Sequence, residues 1–261
     1  MRPLALVQPR SVRVGVAFPW RRAAVFGAAL LAGLGLLYLG ARATPVFAVR
    51  SLEISGAPRQ VRQEARATAS RFVGKSLVGF DGAELIRELE VLPSVRSATY
   101  DRDFPNTLRI VVRPEVPVAV MEVGEDGWVL SERGRVIRSA ASSARRLPRF
   151  RLPVRVPVSP GSFVDDPAAR TILTALADLP SRFPARVVAV QLENRTLTLE
   201  LEATWGTPEL RLGEPVDVAA KLAAGALVLR RLPASERPVA DYLDVSLPER
   251  VVVGSNSQPE G

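Results

Sequence analysis

The chain has 261 residues, 47% hydrophobic and 24% charged, with a formal net charge of +8 and no cysteine or histidine. This is the composition of a folded protein with room for one or two domains. It excludes thiolate and imidazole nucleophiles, serine triads that rest on histidine, the usual zinc sites and disulfides. Residues 1–42 hold Arg2, Arg10, Arg13, Arg21, Arg22 and Arg42 and no acid, which leaves 29 basic against 27 acidic groups in the other 219 residues. The body is therefore nearly neutral, and its surface does not read as one that tracks nucleic-acid phosphates.

Residues 1–22 form a basic tail, and residues 23–41, "AAVFGAALLAGLGLLYLGA", run for 19 positions without a charge. As a helix rising about 1.5 Å per residue, that stretch approaches the roughly 30 Å of a bilayer's hydrocarbon. A single transmembrane helix is expected, with Trp20 and Tyr38 as interfacial aromatics. Five preceding arginines keep the N-terminus in the cytoplasm and the rest of the chain outside it. The alternative is a cleaved signal peptide, with Ala41-Arg42-Ala43 as the small-x-small site. Signal h-regions run to about 7–15 apolar residues, so nineteen favours an uncleaved anchor. Ala29 and Gly33 make a small-xxx-small pair of the kind that packs helices together, although in a stretch this rich in glycine it reads as lipid-facing filler.

Val49, Leu52 and Ile54 alternate as in a strand that stops at Gly56. Val61, Ala65, Ala69 and Phe72 then fall at helical spacing, closed by Gly74. A second helix opens at Asp81, a capping residue with Glu84 placed to reach back, and presents Leu85, Leu89 and Leu92 before Pro93 ends it. In "SVRSATYDRDFPNTLRIVVRP" two strands flank a turn at Phe104-Pro105-Asn106, with Leu108, Ile110 and Val112 on one face. The order is β-α-α-β-β over residues 46–113. Residues 117–158 are strand-rich, with turns at Asp126-Gly127 and Arg133-Gly134 and a crossing rich in proline and arginine. A helix is expected over 166–179, strands over 187–192 and 196–201, a helix over 215–232 and a last strand over 239–246. Residues 255–261 read as a disordered tail.

Each chemical motif has a structural competitor. Gly74-Lys75-Ser76 has the ending of a Walker A loop, but the motif's first glycine would fall at Ala69 inside a helix, so a helix C-cap is the better reading. Glu53, Asp103 and Glu115 are candidate paired carboxylates, yet all sit at strand ends where solvent keeps them ordinary acids. Asp101, Arg102 and Asp103 then read as the solvated end of a strand entering a hairpin. Asp165 and Asp166 offer calcium two ligands without the further oxygens it needs, and Asp166 suits a helix N-cap. No catalytic residue, metal or cofactor is expected.

The basic tail, the single anchor and a β-α-α-β-β unit reading "VRSLEISG…GKSL…LPSVRSATYDRDFPNTLRIVVRPEVPVAV" resemble the FtsQ/DivIB family of bacterial cell-division proteins. The most specific stretch is Leu92 to Ala119, with "LP-x-V", "FPNTL-x-I-x-V" and "P-V-A" in order. "G-x-V-I" at Gly134, "LP" at Leu152, "LRLG" at Leu210 and "DYLDV…ERVVVG" follow. The resemblance implies an α+β fold: a POTRA domain over 46–115 and a second, mixed α/β domain over 116–254 built on an antiparallel sheet. It implies a non-enzymatic scaffold at the division site of the inner membrane, whose partners are FtsB/FtsL-type coiled-coil proteins, with a second set on the POTRA surface. By the same resemblance a partner backbone would add to an exposed edge strand at Tyr242, Leu243, Asp244, Val245, Ser246 and Leu247. Two departures stand out: Pro114-Glu115 replaces the family's Glu-Arg pair, which puts in doubt any salt bridge carried over for that pair, and Asp244 is not followed by Arg and an aromatic. A POTRA-bearing export component and a membrane-anchored cell-wall enzyme using Glu53, Asp103 or Glu115 are the alternatives.

Overall fold

The computed structural model describes residues 20–43, 45–140, 144–152, 157–237 and 240–256. The first element, α1 (Trp20–Ala43), has its side chains described over residues 24–40, where Val25, Phe26, Leu30, Leu31 and Leu37 are exposed. Among the described residues no helix is long and apolar enough to cross a membrane. A short 3-10 turn, Pro45–Phe47, leads into the first sheet.

That sheet is built from β1 (Ser51–Ser55), β2 (Val95–Asp103) and β3 (Thr107–Pro114) in the order β1-β3-β2. β1 lies parallel to β3, so the chain must cross over between them, and α2 (Arg59–Ala69) and α3 (Gly82–Val91) lie in that crossover. The antiparallel β2–β3 hairpin turns at the expected Phe104-Pro105-Asn106, with a cis bond before Pro105. Alternation works as the sequence demands: Leu108, Ile110 and Val112 are fully buried against Ala65 and Ala69 of α2 and Leu85 and Leu89 of α3. Each such leucine or isoleucine contributes about 1.5–3 kcal/mol over leaving it in water. The Asp81 side chain caps α3 by accepting from the amides of Ala83 and Glu84. Glu84 does not close the expected capping box; its carboxylate meets Lys75 Nζ at 3.4 Å.

The second unit is one sheet of nine strands in the order β12-β11-β10-β9-β8-β7-β4-β5-β6. Its strands are β4 (Pro117–Val123), β5 (Asp126–Ser131), β6 (Val136–Ser139), β7 (Arg149–Arg151), β8 (Arg186–Glu193), β9 (Thr196–Glu202), β10 (Glu209–Gly213), β11 (Tyr242–Asp244) and β12 (Val252–Gly254). The expected antiparallel sheet is in fact mixed, because β4–β7, β7–β8 and β10–β11 pair in parallel. The parallel pairs arise where a crossing separates the partners: the segment between β6 and β7, then α4 (Pro167–Ala177), and finally α5 (Val218–Arg231). Asp166 caps α4, accepting from the Ala169 amide at 2.9 Å. The first turn lies at Gly124 and Glu125 rather than Asp126-Gly127, with Gly124 supplying a φ of +64°. Ile172, Leu173 and Leu222 from the helices meet Leu197, Leu199, Leu210 and Leu243 from the sheet in a core separate from the first.

Arginine joins the two cores. Arg135, 7% exposed between β5 and β6, donates to the carbonyls of Val95 at 2.7 Å, Glu90 at 2.8 Å and Val91 at 3.2 Å. Two of those carbonyls end α3, where the helix presents its negative pole. Glu115, between the units, is ion-paired with Arg133 and lies 3.9 Å from Arg135.

Candidate partner-docking edge

The C-terminal end of the large sheet brings together residues far apart in sequence. In β10, Leu210 and Leu212 are buried, so Glu209 and Arg211 face away from the core. The polypeptide then runs through α5 and returns as β11 in parallel register, Leu210 beside Leu243 and Arg211 beside Asp244. β12 folds back antiparallel on the far side, pairing Tyr242 with Gly254 and Asp244 with Val252. The turn before it is held by the Ser246 amide on Asp244 Oδ1 at 2.9 Å and the Arg250 amide on the Leu247 carbonyl at 3.0 Å.

Tyr242 lies flat on this surface. The Arg211 guanidinium stacks 4.0 Å from its ring centroid, and a side chain at Gly254 would meet the ring at 2.4 Å. The missing Cβ at Gly254 is what lets the ring cross β12. Arg211 also bonds Glu209 at 2.8 Å and Asn256 at 3.1 Å. Ser255 and Asn256, the start of the expected tail, are tied to the Asp241 carboxylate at 2.7 and 2.8 Å.

The edge lies one strand further out than the sequence suggests. β11 is bracketed by β10 and β12, so Tyr242 to Ser246 is not an edge; among the described residues the strand with a single neighbour at this end is β12. Of the six candidate residues, Leu243 and Val245 are fully buried core, while Tyr242, Asp244 and Ser246 are half-buried and Leu247 is exposed. The strand that sequence reasoning did not mark, Val252–Gly254, is three residues long; its only signal is the run Val251-Val252-Val253 after a polar turn.

The other candidates do not converge on one place. Glu53 and Asp103 are partly exposed and share one partner, Arg109, at 3.0 and 2.8 Å. The hydrogen bond that Arg109 donates to Glu53, and then the nearby Asp103 charge, hold its guanidinium above the ordinary arginine pKa. Glu115 is not solvated as expected but buried, paired with the exposed Arg133 and close to the buried Arg135, so it makes an ion pair at the position where the sequence departure put one in doubt. Lys75 sits 4.3 Å over the Phe72 ring and pairs with Glu84, while Gly74 has a φ of +88°, so the Gly-Lys-Ser triplet works as a turn. Among the described residues no group of three or more acids could hold a metal.

The three-stranded unit with its two helices has POTRA architecture, and residues 47–113 match the family model described as a POTRA domain of FtsQ type. The chain is 30% identical over 218 residues to the cell division protein FtsQ of Myxococcus fulvus, covering 78% of this chain and 74% of that one. It is 29% identical over 185 residues to the FtsQ of Mycobacteroides abscessus and 28% identical over 198 residues to that of Mycolicibacterium smegmatis. It covers 57% and 56% of the length of those two relatives. The chain belongs to the FtsQ family of cell-division proteins.

Proposed function

We propose that this chain is a membrane-anchored scaffold of the division machinery, which carries out no catalysis and holds septal cell-wall synthesis partners outside the cytoplasm. The observation that carries the reading is the C-terminal edge: among the described residues β12 has a neighbour on one side only, and an unpaired strand edge is a template for an incoming backbone. The partner is of the FtsB/FtsL coiled-coil type. Its strand pairs with Val252–Gly254, and its side chains read Tyr242, Asp244 and Ser246 on the adjoining surface and Leu247 in the turn. The anchor is residues 23–41, supported by nineteen positions without charge behind five arginines, with the N-terminus cytoplasmic and the POTRA and second domains on the far side of the inner membrane.

The test is microscopy of live cells carrying a fluorescent protein fused to Met1, with the native copy depleted. A mid-cell band, with filamentation on depletion that the fusion rescues, is the expected result. Uniform envelope signal with normal septation would sink the reading and turn attention to export clients of the POTRA unit.

A further inference from the structure

The chain leaves α1 and enters the POTRA unit with almost no slack. One residue separates the end of α1 at Ala43 from the turn that starts at Pro45, a span of at most about 7 Å. The segment after it is stitched down on both sides. Phe47 accepts from the Leu77 amide at 2.7 Å, the Val49 amide donates to Lys75 at 2.9 Å, and the Arg50 amide donates to Asn106 at 2.8 Å. Residues 45–50 therefore behave as part of the domain, not as a linker from which it could swing.

Two exposed apolar side chains lie at this end of the unit. Val46 is 54% exposed, and Phe104, at the tip of the β2–β3 hairpin, is 53% exposed. Phe47 packs edge-on against Phe104 at 6.0 Å, so the two rings and the valine share one surface. The charges beside it are held: Asp103 by Arg109 at 2.8 Å, the Arg102 guanidinium by the Phe80 carbonyl at 2.8 Å, and the Asp101 carboxylate by the Arg102 amide at 2.8 Å. Arg50 folds back on the Pro45 carbonyl at 3.2 Å. A domain tip that is apolar and rigid, with the charges beside it hydrogen-bonded within the domain, suits an interface with lipid, where aromatic rings are favoured.

We infer that the Val46, Phe47 and Phe104 end of the POTRA unit is seated in the headgroup layer of the same membrane that holds α1, which fixes the domain's tilt and height above the bilayer. This rests on the anchor reading above. If nineteen uncharged residues cross the hydrocarbon and Arg42 marks their exit, then Val46 lies four residues from that exit. The polar layer on each side of a bilayer is only about 5–8 Å deep. Four residues reach at most about 14 Å, which keeps the tip within or next to that layer, and the exposed hairpin ring is what it presents.

The chain has no cysteine, so single-cysteine variants of all 261 residues together can be spin-labelled. Leu36→Cys, Val46→Cys, Phe104→Cys and Val111→Cys would each be reconstituted in vesicles of phosphatidylcholine and phosphatidylglycerol. Nitroxide collision with oxygen, which enters lipid, would be compared with collision with a nickel chelate, which does not. Val111 lies on the same strand pair, roughly 20 Å from the hairpin tip, and serves as the aqueous reference. The expected result is a hydrocarbon signal at position 36 and an oxygen-to-nickel ratio at 46 and 104 severalfold above that at 111. A label at 104 as aqueous as that at 111, with 36 in hydrocarbon, overturns the seating while leaving the anchor. An aqueous label at 36 overturns both.

Discussion

Arg135 donates to the Val95 carbonyl at 2.7 Å across the boundary between the two hydrophobic cores. It also donates to the Glu90 and Val91 carbonyls that end α3, and Glu115 sits 3.9 Å away with no exposed side-chain surface. A cation buried this completely is tolerated because carbonyls and a carboxylate surround it. Its consequence is mechanical: the POTRA unit and the large sheet are bonded, not merely tethered.

Replacing Arg135 by alanine leaves the three carbonyls without their donor and Glu115 with Arg133 alone. A loss of about 3–5 kcal/mol is expected, the usual cost of removing one partner from a buried pair. Urea unfolding of the full chain in detergent measures it. Amide exchange should quicken on both sides of the boundary, at residues 90–95 and 131–136 together. Faster exchange on one side alone would mean that the contact does not couple the units.

The carboxylates separate into two groups. Glu53→Ala and Asp103→Ala each remove part of an exposed bridge to Arg109, and exposed pairs are worth about 0–1 kcal/mol. Both should complement depletion of the native protein. Glu115→Ala should cost stability instead, because it strands Arg133 and Arg135. A well-folded Glu53 or Asp103 variant that fails to support division would revive an enzymatic reading.

At the docking edge, Gly254→Ala places a Cβ where the Tyr242 ring lies. The ring must lift off β12 and leave Arg211. Folding should change by only about 1 kcal/mol, since a surface cation–π contact is worth about 0.5–1, whereas affinity for a coiled-coil partner pair should fall at least about tenfold, or 1.4 kcal/mol. Titration calorimetry with the purified pair reads this, with Tyr242→Ala as the companion variant. Unchanged affinity in both would move the docking site off this surface.

Gly82→Ala reverses an ordinary rule. Near a helix start, alanine in place of glycine would normally help by up to about 1 kcal/mol. Here a Cβ would fall 1.8 Å from the Tyr100 ring. The ring must rotate away from Phe80, its edge-on neighbour at 5.8 Å, so a net destabilisation of about 1–2 kcal/mol is expected. Thermal unfolding would show a lower midpoint; a higher one would mean that Tyr100 relocates freely.

What the sequence reveals follows the length of each pattern. The POTRA unit is legible because Leu108, Ile110 and Val112 alternate over a long strand and Asp81 marks a helix start. α4 is legible for the same reasons at Asp166, Ile172 and Leu173. β7 and β12 are three residues each, too short for a period to emerge, and without β12 the edge falls one strand too early. The parallel pairing of β10 with β11 depends on where α5 returns the chain, which no local pattern encodes. Arg135 carries no signal at all: a buried arginine and a surface arginine look alike until the carbonyls around it are placed.

Order of synthesis gives the C-terminal edge one more property. β12 is the last strand among the described residues, and β11, on which it rests, needs β10 and α5 already in place. A nascent or truncated chain can complete the POTRA core and most of the large sheet, yet its sheet ends on β11 and lacks the Val252–Gly254 edge. Recruitment through this edge would thus begin only on molecules translated through Gly254, so that occupancy by a partner doubles as a proofreading step on the scaffold itself.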